Sequence, residues 1–386
     1  MKRIIIGALI STALMGVQAD AVTERPLPSL TPVALEQKST ETFSFAVFGD
    51  FRTLRRDRPY GPAFRQIVEE VATVAPPFVL STGDAYYGYG ASFQRFKNEV
   101  DYFLSFIKQI PSPVFNAVGN HEVTGEPERQ RYAAERFGLL YGSFDYGNAH
   151  FIALNTEEPG HEGSVSGDQL AWLEADLAAN AKAAHRFVFL HRPLFSVVDP
   201  DLSHGKSFKT KEKRDALHAL FVKYSVDIVF AGHEHLFSDT THGGVRYMVV
   251  GGGGAPMYDS PQAGGFFHYL IAEVAGSSVK VQVREPFHVQ IRHLTASNGF
   301  EPRAELEVIN TGYSPLSVRN IRVVMPRTDA AKYRISAATV SPFDVRTPHG
   351  AAIWRVDDNG DGTSTVRIAT ELPKNGSVRI VVEAEL

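Results

Sequence analysis

The most constraining feature of this sequence is a set of five short apolar runs that each lead directly into an Asp, Asn or His. Four of these polar residues follow a glycine, and segments with helical spacing of apolar residues separate most of the runs. Alternating strands and helices indicate an α/β sheet, in which ligands lie beyond the carboxyl ends of the strands. We therefore expect the polar residues to converge at one edge. The predicted strands are Phe43–Phe48, Phe78–Ser81, Val114–Val118, Arg186–Leu190 and Val226–Phe230.

The chain divides into two parts at about residue 285. The first part, residues 42–285, also contains a predicted strand at His150–Leu154 and two predicted edge strands at Phe267–Val274 and Val279–Val283. Its predicted helices are Ala63–Val74, Phe93–Ile110, Asp168–Ala181 and Lys211–Tyr224. From residue 286 to 386 the sequence has alternating β-rich runs with turn residues between them, which predicts an all-β sandwich domain.

The N-terminus has the pattern of a secretory signal peptide at residues 1–21. Lys2 and Arg3 precede an apolar run at 4–17, and small residues at 19–21 form a cleavage pattern. A buried N-terminal helix or strand is the alternative. Residues 22–41 are polar and rich in proline, which predicts an extended linker. Because no later apolar run approaches the ~20 residues of a membrane-spanning helix, we expect an exported protein, periplasmic or secreted.

Composition narrows the chemistry that this chain can carry. The sequence contains no cysteine, which excludes disulfides, thiolate nucleophiles and sulfur-ligated metals. The formal net charge of -4 over 386 residues argues against a protein that binds a nucleic-acid scaffold through general electrostatics. An anionic substrate would need local positive charge from side chains or metal ions. Any metal must be held by oxygen and nitrogen ligands, which suit zinc, manganese or iron.

The ordered set of strand-end motifs resembles the calcineurin-like metallophosphoesterases and, within them, the purple acid phosphatases. The motifs are Gly-Asp at 49–50, Gly-Asp-Xaa-Xaa-Tyr at 83–87, Gly-Asn-His-Glu at 119–122, a histidine at 191 and Gly-His-Xaa-His at 232–235. The stretches 141–150 and 251–254 also look like that subfamily. Most members of the superfamily have a metal-binding histidine where this chain has Arg52, which cannot bind a metal. Tyr87 matches the iron-binding tyrosine of purple acid phosphatases.

The resemblance implies a two-sheet α/β sandwich flanked by helices and a centre of two metal ions. The first ion, Fe(III), would be bound by Asp50, Tyr87 and His235, with Asp84 bridging. The second, Fe(II), Zn(II) or Mn(II), would be bound by Asp84, Asn120, His191 and His233. The implied reaction is hydrolysis of a small phosphate monoester, of the acid phosphatase type, by attack of a metal-bound hydroxide. His121 would protonate the leaving oxygen.

Several alternatives remain at this stage. Tyr86 could be the ligand instead of Tyr87, and Asp50 and Asp84 could be helix caps or turn residues. Arg52 begins a basic loop with Arg55, Arg56 and Arg58. This loop could bind a second phosphate of the substrate, or it could be an ordinary solvated loop. His161 and His204 are further candidates for substrate binding or for solvated loop residues. The same centre would serve a phosphodiesterase acting on nucleotides or phospholipid head groups, and a non-catalytic binding module is a third reading. The partner of the C-terminal domain is unknown.

Overall fold

A computed structural model describes residues 30, 33–36, 38–55, 58–90, 92–123, 126–204, 207–312, 314–340 and 346–386. The predicted signal peptide at 1–21, much of the 22–41 linker and Arg56 lie outside the described residues. The helices are α1 Pro62–Val74, α2 Phe93–Ile107, α3 Asn120–Val123, α4 Pro127–Phe137, α5 Gly167–Ala179 and α6 Lys211–Lys223. None of the helices within these ranges is long and apolar enough to cross a membrane.

Two sheets form the first part of the chain. Its strands are β1 Thr42–Phe48, β2 Val79–Ser81, β3 Val114–Asn116, β4 Gly142–Tyr146, β5 Ala149–Ala153, β6 His185–Phe189, β7 Ile228–Ala231, β8 Phe237–His242, β9 Val245–Val250, β10 Tyr269–Ala275 and β11 Ser278–Arg284. One sheet has the order β11-β10-β1-β2-β3 and the other β4-β5-β6-β7-β9-β8. Strands β1, β2 and β3 run parallel to one another, as do β5, β6, β7 and β9. Their carboxyl ends therefore share an edge in each sheet.

The two sheets pack face to face through an aromatic core. Alternate residues of β1 face this core, including Phe43 and Phe45, while Ala46 and Phe48 face the opposite side toward α1 and α2. The rings of Phe45 and Phe78 are stacked, with their centroids 5.4 Å apart. Helices α5 and α6 contribute to a separate core cluster on the outer face of the second sheet. The order helix, sheet, sheet, helix confirms the predicted two-sheet α/β fold.

All described strands of the C-terminal part pair antiparallel, which confirms the predicted all-β sandwich. Its strands are β12 Val289–His293, β13 Arg303–Asn310, β14 Leu316–Pro326, β15 Tyr333–Val340, β16 Arg346–His349, β17 Ala351–Asp358, β18 Thr363–Leu372 and β19 Gly376–Ala384. They form a five-stranded sheet, β12-β13-β19-β15-β16, and a three-stranded sheet, β14-β18-β17. Buried residues of β14 such as Val318 continue the same apolar cluster as Phe64 and Ile67 of α1.

A buried carboxylate also joins the two parts. Glu70 of α1 accepts hydrogen bonds from the hydroxyl of Tyr269 at 2.9 Å and from the backbone N–H of Phe287 at 2.7 Å. Nearby, the Asn320 amide of β14 donates to the carbonyl of Ala72 at 2.7 Å. Because these groups are buried and paired, the sandwich holds α1 against the first sheet.

Parts of the predicted secondary structure were wrong or incomplete. Strand β10 lies between β11 and β1, so only β11 is an edge strand rather than both. The hairpin β8–β9 was missed although Gly243-Gly244 is a hairpin turn signal, because β8 is largely polar. Helix α4 was missed because its buried stripe consists only of Arg129, Ala133 and Phe137.

A charged histidine links β4, β5 and α5. His150 Nδ1 lies 2.6 Å from Asp145 Oδ1, and its Nε2 lies 2.8 Å from Asp176 Oδ2. Burial alone would lower the pKa of His150, but the two carboxylates raise it to about 9. Both ring nitrogens therefore donate, and the protonated ring joins the sheet to the helix.

We predict that this link makes stability fall as the pH rises. Since the folded pKa is about 9 and the usual value is 6.5, the stabilisation is complete below pH 6.5 and is lost as the pH passes 9. Its size is on the order of 3 kcal/mol. Urea unfolding of metal-free protein should show that His150→Gln destabilises the fold strongly at about pH 6 and weakly at about pH 10. An equal loss at both pH values would contradict the charged link.

Candidate metal centre

The strand-end motifs converge at the shared edge in an unusual backbone conformation. Asp50, Asp84 and His233 follow β1, β2 and β7, and each has a positive φ, of 55°, 58° and 69°. Left-handed backbone is uncommon for residues other than glycine and concentrates at functional sites. A Cβ on Gly232 would lie 2.4 Å from Asp50 Oδ2, and one on Gly119 would lie 2.3 Å from Asp84 Oδ1. These two glycines are thus required by the close approach of the carboxylates.

One group of donor atoms comes from Asp50, Asp84 and His235. One ligand atom of each residue lies within 4.8 Å of the others, and all three side chains are buried. His235 Nδ1 lies 2.6 Å from the carbonyl of Pro256, to which it donates, so in the neutral ring Nε2 carries the lone pair. That lone pair faces Asp50 Oδ1 at 3.6 Å. Two carboxylates and an imidazole are a donor set that suits a metal cation.

A second group comes from Asn120, His191 and His233. His191 Nδ1 lies 2.8 Å from the carbonyl of Thr82, so the neutral ring again keeps its Nε2 lone pair. This Nε2 lies 3.0 Å from Asn120 Oδ1 and 3.1 Å from His233 Nδ1. These three atoms repel one another unless a proton, for example on His233 Nδ1 at 2.9 Å from Asn120 Oδ1, or a metal ion lies among them. The group can therefore hold a shared proton or a metal cation.

Asp84 lies between the two groups. Its Oδ1 is 3.3 Å from His191 Nε2 and accepts the backbone N–H of His121 at 3.1 Å. Its Oδ2 is 3.7 Å from His121 Nε2 and 3.8 Å from Arg52 Nε. A carboxylate placed in this way can serve both groups, which is what a bridging ligand of a two-metal site requires.

The charges of the two aspartates differ because of their neighbours. Burial would raise the pKa of Asp84, but His191, His121, His233 and Arg52 together lower it below the usual value. Burial, followed by the charge of Asp84, raises the pKa of Asp50 well above its usual value. Burial and then Arg52 lower the pKa of His235 to about 4. The centre therefore favours an ionised Asp84 and a neutral His235, the forms in which these side chains bind metals.

His121 lies beside the donor groups with a defined orientation. Its Nδ1 donates to the carbonyl of Tyr87, which leaves Nε2 directed toward Asp84. Burial lowers the pKa of His121, partly offset by the charge of Asp84.

The two tyrosine candidates occupy different places. Tyr86 is buried and packs edge-on against Phe96 of α2, with 5.4 Å between the ring centroids. Both rings belong to the apolar cluster that contains α1 and α2. Tyr87 is half-buried, and its ring lies 5.9 Å from the ring of His121. Because Tyr87 lies beside His121, it is the better candidate for the tyrosine ligand. Its binding of iron stays a prediction.

The loop histidines lie in other surroundings. His161 is exposed in a turn, where its N–H donates to the carbonyl of Glu158. His204 Nδ1 lies 3.2 Å from Asp199 Oδ1, and 69% of its side chain is exposed. Substrate binding by His161 and His204 stays a prediction to which their described contacts add no support.

Four residues that shape the centre were not among the predicted site residues. The Asn120 amide N–H donates to the hydroxyl of Tyr89 at 2.9 Å, which turns its oxygen toward the histidines. Glu122 accepts the N–H groups of Gly119 at 2.7 Å and Asp84 at 3.0 Å and so joins two ligand loops. Glu234 accepts the N–H of Val197 at 2.8 Å, and Tyr258 stacks on His235 at 4.2 Å. Of these four residues, only Glu122 and Glu234 could have been identified from the sequence, since both lie inside the glycine-containing motifs.

We predict that Gly232→Ala weakens metal binding, because the added methyl group would collide with Asp50 Oδ2. The expected loss of Zn(II) affinity is about 10- to 100-fold, measured by calorimetric titration of metal-free protein. Gly350→Ala is the matched control, since a Cβ there meets nothing within 4 Å. Wild-type affinity in Gly232→Ala would show that the close approach of Gly232 to Asp50 does not matter for the metal.

Comparisons with known proteins identify relatives of this chain. Residues 43–237 match the family model of the calcineurin-like phosphoesterases. The chain is 28% identical over 160 residues to purple acid phosphatase 21 of Arabidopsis thaliana, covering 35% of each chain. It is 28% identical over 295 residues to acid phosphatase type 7 of Homo sapiens, covering 71% of this chain and 61% of that one. The chain thus spans about a third of the length of the plant relative.

A solved structure shows the same fold over part of the chain. The purple acid phosphatase PPD1 from yellow lupin seeds aligns with a TM-score of 0.50 and 21% identity, over 64% of this chain and 52% of that chain.

Proposed function

Because the chain belongs to the calcineurin-like phosphoesterase family, we propose that it is a di-metal phosphoesterase that hydrolyses phosphate monoesters in the manner of an acid phosphatase. The observation that carries the proposal is the convergence of side chains from four other loops on Asp84. Similarity to acid phosphatases supports the monoester assignment.

The residues present fit two ions. We propose that Asp50, Tyr87 and His235 hold Fe(III), that Asn120, His191 and His233 hold Fe(II), Zn(II) or Mn(II), and that Asp84 is shared. When bound, the ions would activate water for attack on phosphorus and neutralise charge on the phosphoryl oxygens.

His121 is the proposed proton donor to the leaving oxygen. With Nδ1 held by the carbonyl of Tyr87, Nε2 is the nitrogen that can carry the transferred proton. A proton on Nε2, which lies 3.7 Å from Asp84 Oδ2, would be beside the shared carboxylate. The leaving oxygen would therefore lie on the His121 side of the centre.

Arg52 is the proposed phosphoryl-binding residue. Its side chain is 16% exposed, and its Nε is buried without a hydrogen-bond partner among the described residues. A buried guanidinium N–H beside the ligand cluster has a strong preference for an anionic oxygen. Arg52 would thus contribute charge where the wider family has a metal-binding histidine.

The experiment that tests the function is a comparison of a phosphate monoester with a phosphate diester on metal-reconstituted protein. We expect p-nitrophenyl phosphate to be hydrolysed with a higher kcat/KM than bis(p-nitrophenyl) phosphate. His191→Ala should lower kcat/KM by about 100-fold or more, while the exposed control His293→Ala should not change it. Preference for the diester would favour the phosphodiesterase alternative, and no hydrolysis of either ester would contradict the proposal.

A tyrosine variant tests the iron assignment separately. A phenolate bound to Fe(III) absorbs visible light, so we predict a coloured iron-loaded protein and a colourless Tyr87→Phe variant. Tyr86→Phe is the control and should keep the band. A band retained in Tyr87→Phe and lost in Tyr86→Phe would transfer the ligand role to Tyr86.

A further inference from the structure

We infer that a pocket beside the metal centre receives the alcohol part of the substrate and selects phosphate esters of phenols. The pocket has a volume of about 280 Å³, and its walls include Arg58, Tyr60, Tyr86, Tyr87, Glu99 and Tyr102. We call it the leaving-group pocket. The inference rests on the proposed function, because it assigns the substrate of the same centre.

The leaving-group pocket adjoins the reacting side of the centre. The loop after β1 supplies both Asp50 and Arg58, and the loop after β2 supplies both Asp84 and Tyr87. Tyr87 is the shared wall, since its ring also lies 5.9 Å from His121. Because His121 would protonate the leaving oxygen, a group attached to that oxygen would extend along Tyr87 into the pocket.

The walls suit an aromatic ring. Tyr102 of α2 stacks on Tyr60 at 5.3 Å with an angle of 17° between the ring planes, and 42% of Tyr102 is exposed. The hydroxyl of Tyr60 donates to the carbonyl of Ala85 at 2.7 Å, which fixes this pair of rings beside the Asp84 loop. Tyr60 itself is buried, so within this pair it is the exposed ring of Tyr102 that offers a face or an edge to a further ring.

The charges of the walls argue against a second phosphate on the alcohol. Arg58 is accompanied by Glu99, whose carboxylate accepts the N–H of Gly88 at 2.8 Å. The two opposite charges leave the lining close to neutral. The size is near the lower end of the ~300–1,000 Å³ of small-molecule pockets, which suits one substituted ring. A phenolic monoester places its ring directly beyond the leaving oxygen and so meets these conditions.

Phosphonates test the pocket without the complication of leaving-group reactivity. Benzylphosphonate has the shape of phenyl phosphate but cannot be hydrolysed at the same bond, and propylphosphonate lacks the ring. Binding of each, and of inorganic phosphate, to the metal-loaded full chain is measured by calorimetry. We expect benzylphosphonate to bind more tightly than propylphosphonate. Tyr102→Ala should lower the affinity for benzylphosphonate by roughly threefold to tenfold and leave the affinities for propylphosphonate and phosphate unchanged.

Two further variants separate recognition from damage to the fold. Tyr102→Phe retains the ring and should keep wild-type affinity for benzylphosphonate. Phe300→Ala removes an aromatic side chain that is 80% exposed on the C-terminal domain, and it should change no affinity. The pocket assignment would be overturned if the wild type bound benzylphosphonate and propylphosphonate equally, or if Tyr102→Ala lost affinity for all ligands to the same extent. In either case, binding of inorganic phosphate would leave the proposed function standing. Absence of phosphate binding to the wild type would overturn both.

Discussion

The site depends on one buried carboxylate, Asp84, that cannot be stable without positive charge around it. Taking a carboxylate out of water is costly unless it is paired or bound to metal. Around Asp84 the chain supplies the Arg52 guanidinium and a backbone N–H from residue 121. These contacts keep Asp84 ionised and place it between two further sets of donor atoms. The proposed metals, the proposed proton donor and the proposed phosphoryl-binding arginine all lie around this side chain.

The rest of the fold keeps Asp84 and its neighbours in place. The aromatic core between the two sheets aligns the strand ends, and the left-handed residues at those ends direct the side chains toward one another. Glu122 ties the loop of Asp84 to that of Gly119 through backbone N–H groups. Helix α1 follows the Asp50 loop and is held by Glu70 and by Asn320 of the sandwich. The C-terminal part therefore supports the site through α1.

The strand-end pattern was a good guide to the fold and to the converging residues, because a parallel strand followed by glycine and a polar residue has few possible geometries. The distances around Asp50, Asp84, Asn120 and the three histidines agree with that expectation, although their metal binding is still to be measured. Tyr89 and Tyr258 could not be predicted, since their contacts depend on the path of a loop. The leaving-group pocket could not be predicted from the sequence either, because it depends on the packing of α2, which brings Tyr102 against Tyr60. Polar β8 and the narrow buried stripe of α4 lacked a strong periodic pattern.

The central claim is that these donor atoms hold two metal ions with Asp84 between them. Anomalous X-ray diffraction from crystals grown with iron and zinc tests it most directly. The account predicts two peaks about 3.5–4 Å apart, one among Asp50, Tyr87 and His235 and the other among Asn120, His191 and His233, with Asp84 contacting both. A map with no peak at Asp84, or with a single ion and the Arg52 guanidinium occupying the position of the other, would contradict it.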